Sequence, residues 1–145
     1  MALENLGNND PLDASETLAR FVIYQKREIR SSDNTPRPDL FMPDGQHTCS
    51  TYRVNGMEKD GNLKAVSDDV GMKRRGKPAY GYCPVSVGSV RRTGGDVVAD
   101  DIPKHHANII KYPPVSQPQL IKARALALSQ VAWAMVDTYL KHDGH

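Results

Sequence analysis

Between Val97 and Pro114 the chain reads VVADDIPKHHANIIKYPP, which sets two adjacent carboxylates, Asp100 and Asp101, shortly before two adjacent imidazoles, His105 and His106. Imidazole exchanges a proton near neutral pH, which makes His106 the candidate general acid or base. It would equally serve as a hydrogen-bond partner that locks the loop to Asp100 or Asp101. If the chain is extended here, neighbouring side chains leave opposite faces of a strand, so the two histidines serve different surroundings. One imidazole is expected to look inward or at a ligand, and the other at solvent. Spacing alone marks no serine or cysteine as a nucleophilic partner.

Arginines form the second set. Arg20, Arg27, Arg30, Arg37, Arg53, Arg91 and Arg92 fall at strand or loop positions, where a planar guanidinium with five donors can clamp phosphate or carboxylate. Arg53 interrupts the apolar Tyr52 and Val54, so it faces a groove if they face the core. Gly88-Ser89 and Gly94-Gly95 flank Arg91-Arg92, an arrangement that suits a phosphate cradle. Arg37, Arg53, Arg91, Arg92 and His106 are therefore the candidate ligand-binding residues, and His106 the candidate catalytic one.

Other chemistries find little footing. There is no Walker loop, dinucleotide-binding glycine fingerprint or helical His-Glu-x-x-His. His47, Cys49, Cys83 and His106 are zinc-type ligands, but they lack the short spacing of a structural zinc site. Two partly buried thiols, with no metal and no cofactor, are the expectation. The formal net charge of +2 is too small to argue for nucleic acid. Its distribution is uneven, acidic over residues 1–20 and basic over 61–80, where Lys73-Arg74-Arg75 could meet phosphate or simply be solvated. No signal-peptide pattern opens the chain and no apolar run approaches a membrane span, so a cytoplasmic protein is expected.

The elements that must position these residues follow from pattern. The 145 residues suit one domain, with residues 1–14 a flexible lead-in. Asp13 or Ser15 could cap a short helix over 14–20. Strands are expected near 20–26, 48–54, 80–90 and 96–99, with a bulge or edge at Cys83-Pro84. Asn55-Gly56 should end the second strand and a short helix or open loop should follow. Residues 61–80 look the least structured. Residues 119–141 contain no glycine or proline, and Ile121, Ala125, Leu128, Ala132, Met135 and Tyr139 recur on one helical face. Leu126, Trp133, Val136 and Leu140 make a second face, for a sheet or a symmetry mate. The fold class is α+β, a small, mostly antiparallel sheet backed by a long C-terminal helix.

Residues 20–113 resemble a family of small uncharacterised bacterial and prophage-associated proteins. The resemblance is carried by Arg20-Phe21, Arg37-Pro38, Phe41-Met42-Pro43, Tyr52-Arg53-Val54, Val90-Arg91 and the run from Asp101 to Pro113, with its Asp-x-Pro-x-x-His-Ala-x-Ile motif. It departs where Glu28-Ile29 replaces the family's early His-Phe and where His105 replaces an arginine. The resemblance implies a bacterial or phage accessory protein. Together with the arginines, it leads to the expectation of binding to a phosphate-containing small molecule, nucleotide or nucleic acid. Two alternatives stand beside it. One is a metal-independent enzyme acting on a phosphodiester or ribosyl substrate, with His106 as acid or base and Arg53 and Arg91 on the anionic oxygens. The other is a protein-interaction module, or a homodimer, acting through 119–141.

Overall fold

Alternation along β1 (Thr17–Val22) sends Leu18 and Val22 to one face and Ala19 and Phe21 to the other, and all four are buried. Such a strand needs cover on both sides and belongs inside a sheet. The computed structural model, which describes residues 12–132, has it there. β2 (Cys49–Arg53), β3 (Gly81–Ser86), β4 (Asp96–Ala99) and β5 (His106–Ile110) complete a five-stranded sheet of order β3-β1-β2-β5-β4. Every neighbouring pair is antiparallel. β3, which carries Pro84, is an edge strand, where a missing N–H costs least.

The helices are α1 (Gln25–Glu28), α2 (Val54–Asp60), α3 (Leu63–Arg75), α4 (Val87–Arg92) and α5 (Pro118–Val131), with a 3-10 turn at Pro38–Phe41. On one side of the sheet, Leu40 and Phe41 of the turn and Ile121, Ala125 and Leu128 of α5 pack with Leu18, Cys49, Val97 and Ile109. On the other, Met57 of α2 and Leu63, Val66 and Val70 of α3 pack with Ala19, Phe21 and Tyr52. Further along this second face Ser50, Val98, His106 and Asn108 are only partly buried.

The α+β class and the sheet backed by a C-terminal helix agree with the sequence reading; several boundaries do not. Residues 14–20 hold no helix, because β1 starts at Thr17 after a turn in which Glu16 N–H donates to Asp13 O (3.0 Å). The strand expected over 80–90 ends at Ser86, whose hydroxyl accepts the N–H of Ser89 and caps α4. Asn55-Gly56 lies inside α2. The unstructured-looking 61–80 stretch contains α3, whose apolar face is only Leu63, Val66 and Val70 and whose outer face carries Lys64–Asp68 and Lys73–Asp69 ion pairs. Gly71 allows its close approach to the next segment, since a Cβ there would lie 2.2 Å from Ala79 N. β5 was not among the expected strands. The C-terminal helix ends at Val131, with Ala132 extended. Leu128 is buried, Val131 and Ala132 are partly buried, and Trp133, Met135, Val136, Tyr139 and Leu140 lie outside the described residues. No described helix is long and apolar enough to cross a membrane.

Candidate active site

Register decides which side chains meet. Ser50 of β2 pairs with Asn108 of β5, and Tyr52 pairs with His106. Directly paired residues share a face, so Ser50, Tyr52, His106 and Asn108 all project toward the α2–α3 side. Ser50 and His106 are diagonal neighbours, close enough for an imidazole to bridge. On the other side of β5, Ala99 of β4 pairs with Ala107, so the next residue, Asp100, comes alongside His106.

The three side chains form one hydrogen-bonded line across β2, β5 and the end of β4. Ser50 Oγ lies 2.6 Å from His106 Nε2, and His106 Nδ1 lies 2.7 Å from Asp100 Oδ1. The chemistry of the groups sets the proton positions. An ionised carboxylate only accepts, so Nδ1 carries the proton and donates it to Asp100. In neutral imidazole Nε2 is then the acceptor, and the Ser50 hydroxyl donates to it. That is the tautomer in which a histidine can take a proton from a serine nucleophile.

Neighbouring groups hold the line in place. Asn108 Nδ2 donates to the other Asp100 oxygen at 3.4 Å, and Ile102 N–H donates to Asp100 Oδ1 at 3.2 Å. The Tyr52 ring sits edge-on to the His106 ring, with centroids 5.1 Å apart. Burial, then the nearby charges of Asp69 and Asp100, push the Tyr52 phenol above its ordinary pKa, so it stays neutral. The His106 side chain is 12% exposed and that of Asp100 40%, so the dyad is sheltered at the imidazole and wet at the carboxylate. Ser50 also lines a cavity of about 680 Å³ together with Arg20, Tyr24, Arg27, Asp39 and Arg74. Ser50 thus has an imidazole partner for its hydroxyl and borders a cavity.

The candidate ligand-binding arginines, Arg37, Arg53, Arg91 and Arg92, do not converge on His106. Arg53 leaves the opposite face of β2 and is held in a two-point ion pair by Glu16, at 2.6 and 3.1 Å. With Lys59, Lys104 and His105 it lines a separate cavity of about 400 Å³. Arg91 pairs with Asp96 at 3.0 Å, and Arg92 donates to Ser89 Oγ at 2.9 Å. Arg37 is exposed and precedes the 3-10 turn. The space beside Gly94-Gly95 is taken by the protein's own Arg124, since a Cβ on Gly94 would lie 2.9 Å from that guanidinium.

The two histidines do serve different surroundings, but neither looks at open solvent. His105 has a left-handed φ of 73°, and its Nε2 lies 2.6 Å from Asp60 Oδ2 with the side chain 13% exposed. That contact, followed by Lys104, holds the Asp60 carboxyl below its ordinary pKa. The zinc-type residues stay apart as well. Cys49 points to the face opposite His106 and His47 Nε2 contacts Pro113 O at 2.6 Å. Among the described residues no group of three or more candidate ligands could hold a metal ion. Both cysteines are buried and not joined in a disulfide, and burial pushes the Cys83 thiol up to about 12.

Ser50 was missed in the sequence because nothing local distinguishes it from other strand serines. Its alternation with Tyr52 was legible, but the register that sets it diagonal to His106 was not. Searches of protein-family models, curated proteins and solved structures give no match to the chain.

Proposed function

We propose that the protein is an acyl hydrolase or acyl transferase with Ser50 as nucleophile, His106 as general base and then acid, and Asp100 as the group that orients the imidazole. The observation that carries this reading is the Ser50–His106–Asp100 line, at 2.6 and 2.7 Å, with Ser50 opening onto a cavity. In the reaction, Ser50 Oγ forms a bond to the substrate carbonyl carbon as its proton passes to His106 Nε2. The C–O or C–N bond to the leaving group breaks, and Nε2 returns the proton to that group. Water, or another hydroxyl or amine, then attacks the acyl-serine by the same proton route and frees Ser50. Arg20 donates from Nη1 to the carbonyl of Ser50 itself, at 2.9 Å, and so sets a positive charge beside the nucleophile.

This reading keeps His106 as the acid–base residue of the metal-independent enzyme alternative and replaces its arginines with a serine. Binding of phosphate, nucleotide or nucleic acid through Arg53, Arg91 and Arg92 has less support, because each of these is engaged by the protein's own acceptors. The test is covalent labelling with a neutral alkyl fluorophosphonate, read by intact mass and peptide mapping. The expected outcome is one adduct on Ser50, absent in Ser50→Ala and slowed by about 10²–10⁴ in His106→Gln. An unlabelled wild-type protein, or an adduct that persists in Ser50→Ala, overturns the reading.

A further inference from the structure

The cavity beside Ser50 is lined by three guanidiniums, Arg20, Arg27 and Arg74, and three carboxylates, Glu28, Asp39 and Asp44. These charges are not equally available. Glu28 is buried, and its Oε1 accepts the N–H groups of Ile23 and Tyr24 at 2.8 and 3.0 Å. Asp44 Oδ1 closes its own turn by accepting the N–H groups of Gln46 and Thr48 at 2.8 and 3.3 Å. Two of the three carboxylates are thus turned toward backbone amides.

The guanidiniums are placed differently. Arg20 is fixed by the carbonyls of Leu40 and Ser50 at 2.7 and 2.9 Å, which orient it without cancelling its charge. Arg27 lies over the Tyr24 ring, 4.6 Å from the centroid, again without a counter-ion. Arg74 lies in the last turn of α3 and lines the cavity. Among the described residues none of the three is in a salt bridge, whereas Arg53 and Arg91 each are. The cavity therefore offers, next to Ser50, guanidinium donors that are in no described salt bridge, with Asp39 as the one wall carboxylate not bonded to backbone amides.

Resting on the acyl-transfer reading, we propose that the acyl group delivered to Ser50 ends in a carboxylate, held by Arg20, Arg27 and Arg74. A planar carboxylate matches the paired donors of a guanidinium. Asp39 and Asp44 in the same wall repel a dianion more than a monoanion, which favours a carboxylate over a phosphate.

The test compares two fluorophosphonates of the same chain length, one ending in a carboxylate and the other in its methyl ester. Their second-order rate constants for labelling Ser50 are measured at low and high ionic strength, in wild type and in the Arg27→Gln/Arg74→Gln variant. The carboxylate probe should react on the order of ten- to a hundredfold faster, the range expected from a charge-assisted hydrogen bond. The preference should shrink as salt rises and largely disappear in the variant. Equal rates, or a faster methyl ester, with Ser50 labelled, overturn the carboxylate inference and leave the nucleophile standing. A preference that survives in the variant overturns the assignment to these arginines. No labelling of Ser50 by either probe removes the acyl-transfer reading and this inference with it.

Discussion

The ring of Tyr52 meets the ring of His106 edge to face across the β2–β5 pair, with centroids 5.1 Å apart. The contact packs one side of the imidazole while Ser50 and Asp100 hold its two nitrogens, so the ring is constrained in plane and in rotation. Tyr52→Phe keeps the ring and should label Ser50 with fluorophosphonate at close to the wild-type rate. Tyr52→Ala frees the imidazole and should slow labelling by at least about tenfold, beyond any loss explained by melting temperature. Labelling kinetics set beside a thermal melt check both.

Asp100→Asn tests the tautomer. An amide can donate to Nδ1, which would move the ring proton to Nε2 and remove the acceptor that Ser50 needs. The fall in labelling or turnover should be on the order of 10³–10⁴ with the fold intact. A loss under about tenfold would make Asp100 a loop anchor only.

Leu128 of α5 is fully buried among Leu18, Leu40, Phe41 and Ile109. Leu128→Ala should destabilise the protein by about 2–5 kcal/mol, from lost burial and the cavity left behind. Urea denaturation measures it, and a loss below about 0.5 kcal/mol would place α5 outside the core.

The two cysteines should behave as inert core groups. The buried Cys83 thiol ionises only near 12, against 9.0 for an ordinary thiol, so native protein at pH 8 should react with iodoacetamide at the rate of unfolding. The sign of the stability effect follows. Below the ordinary thiol pKa both states hold the proton and the contribution is fully present. As pH rises from 9.0 towards about 12 the unfolded chain loses its proton first, so stability falls across that window. Urea midpoints measured along this range, with Cys83→Ala as reference, check the slope.

Much of the local structure was legible because it depends on near neighbours. Apolar and β-branched residues mark the end of β1 and mark β4, alternation marks β2, and the breaker-free stretch after Pro118 marks α5. α3 escaped notice because its apolar stripe is three residues wide in a charged helix and becomes meaningful only once Phe21 and Tyr52 lie beneath it. His106 and the possibility of an Asp100 partner were also legible, since a histidine six residues after an aspartate can fold back on it within one hairpin. Ser50 was not. It sits 56 residues from His106, and only the β2–β5 register, with the α2–β4 segment looped between, sets it 2.6 Å from Nε2. The same register turned Arg53 to the opposite face and into the grip of Glu16. Side-chain type and periodicity are properties of short stretches of chain, whereas a site assembled across three strands depends on how those strands slide past one another. That alignment is set by the burial of both sheet faces and by the tertiary packing that produces it.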